Sequence, residues 1–436
     1  MADDSLQWFR EARFGMFIHW GLYAAAAGEW DGEDVPAIGE WIMYYRRIPL
    51  ARYRSLMDQF TGRAFDARAI AALAAAAGMK YLAITAKHHE GFALFDSAVT
   101  GYKATAAAFG RDAIRELADA CRERGLTFCL YYSQAQDWAE RDAYGNTWDF
   151  PASPENFQRY LDNKVKPQLR ELLTGYGPIG AIWFDTPMAM AEAESRELAA
   201  FVKSIQPDCL ISGRVGNGVG DYRSTGDNMI PTLPISGPWE VPATLNDTWG
   251  FRRRDQNWKS PADVIRRLVE INGKGGNYLL NIGPDGDGAV PEGSAAVLRR
   301  VGQWMAVNGE SIYGTEATPV FPYLFDFGGV TAKPARDGQP AKLYLHIFHW
   351  GRGYDDVEGE LLIYGLKNRV TRAYALADRG TGIAVTQFPP TRSRALNSIR
   401  VRLPDPSTPL DEIDSVICLE LEGALAVDAI ESDTPI

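Results

Sequence analysis

Tyr81-Leu82-Ala83-Ile84-Thr85-Ala86-Lys87-His88-His89-Glu90-Gly91-Phe92 is the stretch on which the reading of the fold turns. Its first six residues lack the polar alternation of a half-exposed strand. Such a run is a strand buried on both faces, as in a parallel sheet covered by helices. Two of the chain's five histidines follow it directly. Titratable groups at the carboxyl end of a buried parallel strand occupy the position where α/β barrels carry their chemistry.

Outward from this stretch, strand-like and helix-like segments alternate to about residue 310. Strands are predicted at Gly15–Trp20, Tyr81–Ala86, Thr127–Tyr132, Gly180–Asp185, Cys209–Gly213 and Asn277–Ile282. Helices are predicted at Phe65–Ala77, Asp112–Arg124, Glu155–Leu173, Ala191–Ile205 and Pro261–Ile271 from their 3.6-residue apolar period. Ser260-Pro261 is an N-cap followed by proline at the first helical position. This many β-α units favour a closed, TIM-like (β/α) barrel over an open sheet. The stretch 213–257 breaks the pattern and reads as a long functional loop. Beyond about Gly314 the chain becomes short strands separated by turn residues, such as Leu343, Leu345 and Ile347 alternating with Tyr344, His346 and Phe348. That pattern predicts an antiparallel β-sandwich. The expected domains are a catalytic barrel over residues 1–314 and a C-terminal β-sandwich over 315–436.

With 436 residues, 46% of them apolar, the chain can bury a sizeable core in each part. Its net charge of −11 disfavours a nucleic-acid partner, which needs a basic face. No apolar run approaches the roughly 20 residues of a membrane span, and no signal peptide is visible, so a cytoplasmic location is expected. The four cysteines form no CxxC pair and read as buried free thiols.

The predicted strand ends collect polar groups: His19, His88 and His89, Tyr131 or Tyr132, Asp185 and Arg214. Core packing does not explain a polar residue at every strand end. Alternation sends one of Tyr131 and Tyr132 into the wall. Asp185 by itself reads equally well as a helix cap. Adjacent histidines point to opposite faces of a strand and suit one metal poorly, and neither HxH nor HExxH occurs, so no metal or other cofactor is expected. No GxSxG elbow is present for a serine nucleophile. Asn281–Gly288 has the composition of a calcium loop but lacks its spaced ligands, and reads as a Gly-rich turn. What remains is carboxylate chemistry, two carboxyls flanking a glycosidic bond. Asp185 is one. The second comes from Asp221, Asp227, Glu240 or Asp247 in the irregular stretch.

The motifs Phe14-Gly15-Met16-Phe17-Ile18-His19-Trp20-Gly21, Gly39-Glu40-Trp41, Lys87–Phe92, Trp183-Phe184-Asp185, Trp239-Glu240 and Gly275–Pro284, in this order, resemble the α-L-fucosidases of glycoside hydrolase family 29. The resemblance implies a retaining exo-α-L-fucosidase on an irregular barrel, with a fucosylated oligosaccharide or glycoside as substrate. A related glycosidase on another sugar and a silent sugar-binding barrel are the alternatives, and a homo-oligomer is compatible with the sequence. The resemblance makes Asp185 the nucleophile. It assigns His19, Glu40, Trp41, His88, His89 and Tyr132 to the fucose hydroxyls and ring, Trp183 and Arg214 to the pocket beside the nucleophile, and Trp249 to the sugar's methyl group. Asp227 is preferred to Glu240 as general acid/base from its distance in sequence to Arg214. Two departures stand out: Glu90 replaces the usual Asp, and Lys103–Ala108 replaces a more polar stretch, which implies a change in what binds beyond the fucose.

Overall fold

The computed structural model describes residues 4–151, 154, 156–320, 325–351, 359–392 and 395–429. Eight parallel strands follow one another in chain order around a curled sheet: β1 (Phe14–Ile18), β2 (Tyr81–Lys87), β3 (Thr127–Tyr132), β4 (Ala181–Phe184), β5 (Leu210–Ile211), β6 (Arg223–Ser224), β7 (Trp239–Thr244) and β8 (Asn277–Ile282). β8 returns to pair in parallel with β1. The seam lies between β5 and β6, where the sheet is held by one parallel bridge, Ser212 to Tyr222. Asp221 reinforces it: its N–H donates to the Ile211 carbonyl, and its carboxylate accepts from the Ile211 N–H at 2.8 Å. This is the barrel expected from the sequence, irregular on one side.

The long loop expected at 213–257 holds two of the barrel strands, β6 and β7. β7 escaped the sequence reading because it carries Pro242, and proline cannot donate to a strand ladder. Here it pairs in register with Leu279 while its carbonyl accepts from Asn228.

Helices cover the outside. α1 (Ala67–Ala76) and α2 (Ala113–Arg124) begin where Asp66 and Asp112 accept from the backbone N–H of Ala69 and Arg115. Each such cap is worth about 1 kcal/mol. Gly125 closes α2 at φ 67°, a left-handed position that costs glycine little. The helix expected over 155–173 is a turn at Phe157–Tyr160, a π-turn over Leu161–Val165 and α3 (Lys166–Gly175); its predicted first residue, Glu155, lies outside the described residues. Pro167 brings no N–H to this region, which suits the break from regular α-geometry. α4 (Glu192–Ile205) and α5 (Pro261–Gly273) lie where expected, and α6 (Glu292–Asn308) is a further long helix. α4 starts at Glu192, so Asp185 does not cap it.

Barrel side chains such as Leu82, Ile84, Leu130 and Ile182 are fully buried, each contributing about 1.5–3 kcal/mol. All four cysteines are buried free thiols. No helix among the described residues is long and apolar enough to cross a membrane.

The C-terminal strands are β9 (Gly328–Lys333), β10 (Ala341–Ile347), β11 (Glu360–Tyr364), β12 (Val370–Ala375), β13 (Asp378–Gly382), β14 (Val385–Phe388), β15 (Ser398–Arg402) and β16 (Ser415–Leu421). They form two antiparallel sheets, β9-β10-β16-β12-β13 and β11-β15-β14. Fully buried His346 lies 2.7 Å from Asp414 and 3.0 Å from Thr331, and Trp304 on α6 donates to the Asp414 carbonyl. This links the sheets to the barrel's last helix.

Candidate active site

Strand alternation builds the site. On β3, Tyr131 faces the barrel axis and Tyr132 faces the helices. Tyr132 donates to Gln168 on α3 at 2.7 Å and lies under the Lys87 ammonium. Tyr131 instead lines a pocket at the carboxyl ends of the strands and donates to Asp185 at 2.8 Å. Tyr132, expected to meet the sugar, does not line this pocket, and Tyr131 does: the two-residue period of the strand puts only one of the two neighbours on the axis.

The pocket encloses about 210 Å³, below the range of drug-sized sites and suited to one monosaccharide. Asp185 sits directly after β4. Its Oδ2 takes the Tyr131 hydroxyl; its Oδ1 takes Arg214 at 3.1 Å and the Thr186 hydroxyl at 3.1 Å. Its own N–H is held by Gln134 at 2.9 Å. Burial works to raise the Asp185 pKa, but the Arg214 guanidinium and the Tyr131 hydroxyl outweigh it and hold the group below the usual carboxylate range. An ionised, positioned carboxylate is what a nucleophile requires.

The histidines act as neutral acceptors. His19 Nδ1 lies 2.7 Å from the Asn281 carbonyl oxygen, while the Asn281 amide donates to the Trp249 carbonyl. Asn281 therefore accepts, His19 Nδ1 carries the proton, and Nε2 is left as an acceptor. Ser133 donates its one hydroxyl hydrogen to the Gln136 carbonyl at 2.7 Å, so it accepts from His89 Nδ1 at 2.6 Å. His89 Nε2, 3.5 Å from Asp185 Oδ2, is then also an acceptor. A hydroxyl between these two atoms could donate to either. Burial pushes His19 and His89 down to about 4 and His88 well below the usual histidine range. His88 stacks on Tyr131 at 5.3 Å, and its buried Nδ1 has no hydrogen-bond partner among the described residues. Glu40 is buried with Oε1 unpartnered among the described residues, while Oε2 accepts from the Gly250 N–H at 2.8 Å. Burial raises Glu40 to about 7.

Behind the histidines, Lys87 donates to Asp137 at 2.9 Å in a fully buried pair, with Lys164 on the same carboxylate. The pair fixes the segment whose Ser133 orients His89 and whose Trp138 N–H donates to the His89 carbonyl. Gly91 permits the turn here: its φ is +81° and a Cβ would lie 2.2 Å from Asp137 Oδ1. Glu90 anchors the next wall, accepting from the Leu22 N–H at 2.9 Å and the Tyr53 hydroxyl at 2.5 Å.

Trp41, Trp183, Arg214, Asp227 and Trp249 all line the pocket, as does Glu40. Arg214 lies 4.7 Å above the Trp183 ring and binds Asp227 as well as Asp185. Glu240, the competing acid/base, does not line the pocket. It is fully buried within the barrel, accepting from Trp183 Nε1 at 2.6 Å and the Tyr81 hydroxyl at 3.1 Å. Burial raises it to about 7. The central position of β7 explains the correction: Glu240 points into the barrel beneath Trp183, where Gly15 leaves room for the Tyr81 ring that reaches it. Asp247 pairs with Asn257, and Asp221 holds the seam. Lys103–Ala108 does not line the pocket; Lys103 pairs with Asp96. Phe17, Ile38, Tyr45 and Thr186 line it without having been expected. Phe17 was legible, since it lies two residues before His19 on one strand face.

A barrel with an ionised carboxylate among neutral histidines and indoles at its strand ends has the form of a glycoside hydrolase. Comparison with known proteins gives the family. The family model described as Alpha-L-fucosidase matches residues 2–310. Among curated relatives, the tissue alpha-L-fucosidase of Rattus norvegicus is 32% identical over 71% of this chain and 70% of its own length. That of Macaca fascicularis is 28% identical over 88% and 85%. The crystal structure of alpha-L-fucosidase from Vibrio sp. strain EJY3 aligns at TM-score 0.88 with 36% identity, covering 98% of this chain and 74% of that one. Alpha-L-fucosidase isoenzyme 1 from Paenibacillus thiaminolyticus aligns at 0.83 with 39% identity, over 96% and 99%. The chain belongs to the alpha-L-fucosidase family.

Proposed function

We propose that the protein is a retaining exo-α-L-fucosidase that releases terminal fucose from fucosylated glycans or glycosides by double displacement. The observation that carries this reading is the setting of Asp185: three side chains hold its ionised carboxylate and a fourth holds its backbone N–H, at the base of a monosaccharide-sized pocket.

In the first step an Asp185 oxygen attacks the anomeric carbon while Asp227 gives its proton to the departing glycosidic oxygen. In the second, Asp227 takes a proton from water, and the water oxygen displaces Asp185. Of the two acid/base candidates Asp227 and Glu240, Asp227 lines the pocket and Glu240 lies under Trp183. Proton delivery requires the contact between Asp227 and Arg214 to loosen while Arg214 keeps Asp185. The acceptor nitrogens of His19 and His89 receive sugar hydroxyls, as does the free Glu40 oxygen or, when that carboxyl is protonated, a ring or hydroxyl oxygen on its proton. Phe17 and Trp249, with ring centroids 6.0 Å apart, offer the apolar wall that a sugar methyl group needs.

A panel of 4-nitrophenyl glycosides followed by proton NMR tests the reading. The α-L-fucoside should be the preferred substrate, and the first-formed product should be α-L-fucose. Faster cleavage of another sugar, or β-fucose as first product, would overturn it.

A further inference from the structure

Among the described residues, seven large apolar side chains stand out in solvent. Four of them arise from the three segments that carry Glu40-Trp41, Asp185 and Asp227: Tyr44 (40% exposed), Tyr45 (49%), Met188 (49%) and Met229 (65%). Scattered exposed apolar residues need no explanation, but a concentration around a site does.

Tyr44 and Tyr45 end the short helix Ile42–Tyr45, whose Ile42 and Met43 are buried and anchor it. Tyr45 lines the pocket together with Asp227. The two phenol rings meet at 81° with centroids 6.0 Å apart, forming an open corner. Beneath them Tyr44 packs on Trp41, Trp138 and Trp148 at 5.1, 5.7 and 5.8 Å. The Trp148 indole is fixed by its bond to the Ile48 carbonyl. The corner is thus rigid below, and no described residue stacks on its outer side. Through Tyr45 it adjoins the pocket that Asp227 lines.

We propose that Tyr44 and Tyr45 form a second subsite, for the ring to which the fucosyl residue is attached. It takes a pyranose, whose C–H face packs on one phenol while its hydroxyls reach the phenol oxygens. The inference rests on the fucosidase reading above. Aromatic residues combine an apolar face with a polar tip, which suits a ring that is apolar on its faces and polar at its edge.

The test uses the full chain with three kinds of substrate: α-L-fucosyl fluoride, which has no leaving ring; 4-nitrophenyl α-L-fucoside; and a set of α-L-fucosyl disaccharides of different linkage. For Tyr45→Ala, kcat/KM on the cleaved disaccharides should fall at least about tenfold more than on the fluoride, and Tyr45→Phe should restore most of it. Parallel losses on all substrates would overturn the subsite. A loss confined to the nitrophenyl substrate, or a wild-type enzyme that cleaves no disaccharide while cleaving the fluoride, would overturn the pyranose as occupant. Failure of the wild-type enzyme to hydrolyse the fluoride would instead sink the underlying fucosidase reading.

Discussion

Tyr131 donates its hydroxyl hydrogen to Asp185 across adjacent barrel strands, at 2.8 Å, with Trp183 stacked beside it at 5.6 Å. The bond joins the β3 end to the β4 end and engages Oδ2 of the carboxylate proposed as nucleophile. It also stabilises the ionised carboxylate.

Tyr131→Phe removes that donor and should raise the Asp185 pKa. The acid limb of the kcat/KM profile then moves to higher pH by about a unit, with kcat lower by roughly tenfold. Tyr132→Phe should leave the limb where it is and cost about 1 kcal/mol of stability through the lost bond to Gln168. If Tyr132→Phe moves the limb and Tyr131→Phe does not, the strand assignment is wrong.

Asp227→Ala should slow natural fucosides far more than aryl fucosides with good leaving groups, because acid assistance matters most when the leaving group is poor. Added azide should be trapped on the face that water normally uses, giving α-L-fucosyl azide. Glu240→Gln should show neither effect. Azide rescue in the Glu240 variant alone would exchange the two roles.

Much of this site was legible in the sequence, because its donors sit at the ends of strands with plain apolar runs, β1 to β4 and β8. His19, His88, His89 and Asp185 could be placed by period and position alone. What was hidden lies on β6 and β7, where Pro242 and a two-residue strand erase the period. Losing β7 left Glu240 on an imagined loop, free to reach the pocket, when its register beside Asn277 fixes it inside the barrel. Tyr131 and Tyr132 could not be separated by sequence because alternation fixes their opposition but not its phase. The exposure of Tyr44 and Tyr45 was equally hidden, since their helix has only four residues and shows no period.

Buried titratable groups predict opposing trends in stability with pH. His19, His88 and His89 have depressed pKa values, so their contribution is present above about 6.5 and is lost as pH falls toward 4. Glu40, Glu90 and Glu240 are raised to about 7, so their contribution is present below about 4.5 and is lost as pH rises through 7. Glu240→Gln removes one of the second set. Relative to wild type, its unfolding free energy should increase between pH 4.5 and 7, by about 3 kcal/mol in total. Urea denaturation at pH 5 and pH 8 checks this, and parallel pH dependence in the two proteins would contradict it.

The central claim is that Asp185 forms a covalent bond to the sugar. Incubation with 2-deoxy-2-fluoro-α-L-fucosyl fluoride slows both steps, the second more, and should leave the enzyme one fluorofucosyl unit heavier. Proteolysis and mass spectrometry of the labelled chain then locate the bond. The account predicts the label on Asp185 and its absence from an Asp185→Asn variant. A label on Asp227, Glu240 or Glu40, or steady turnover of the reagent to β-configured product with no labelled protein, would contradict it.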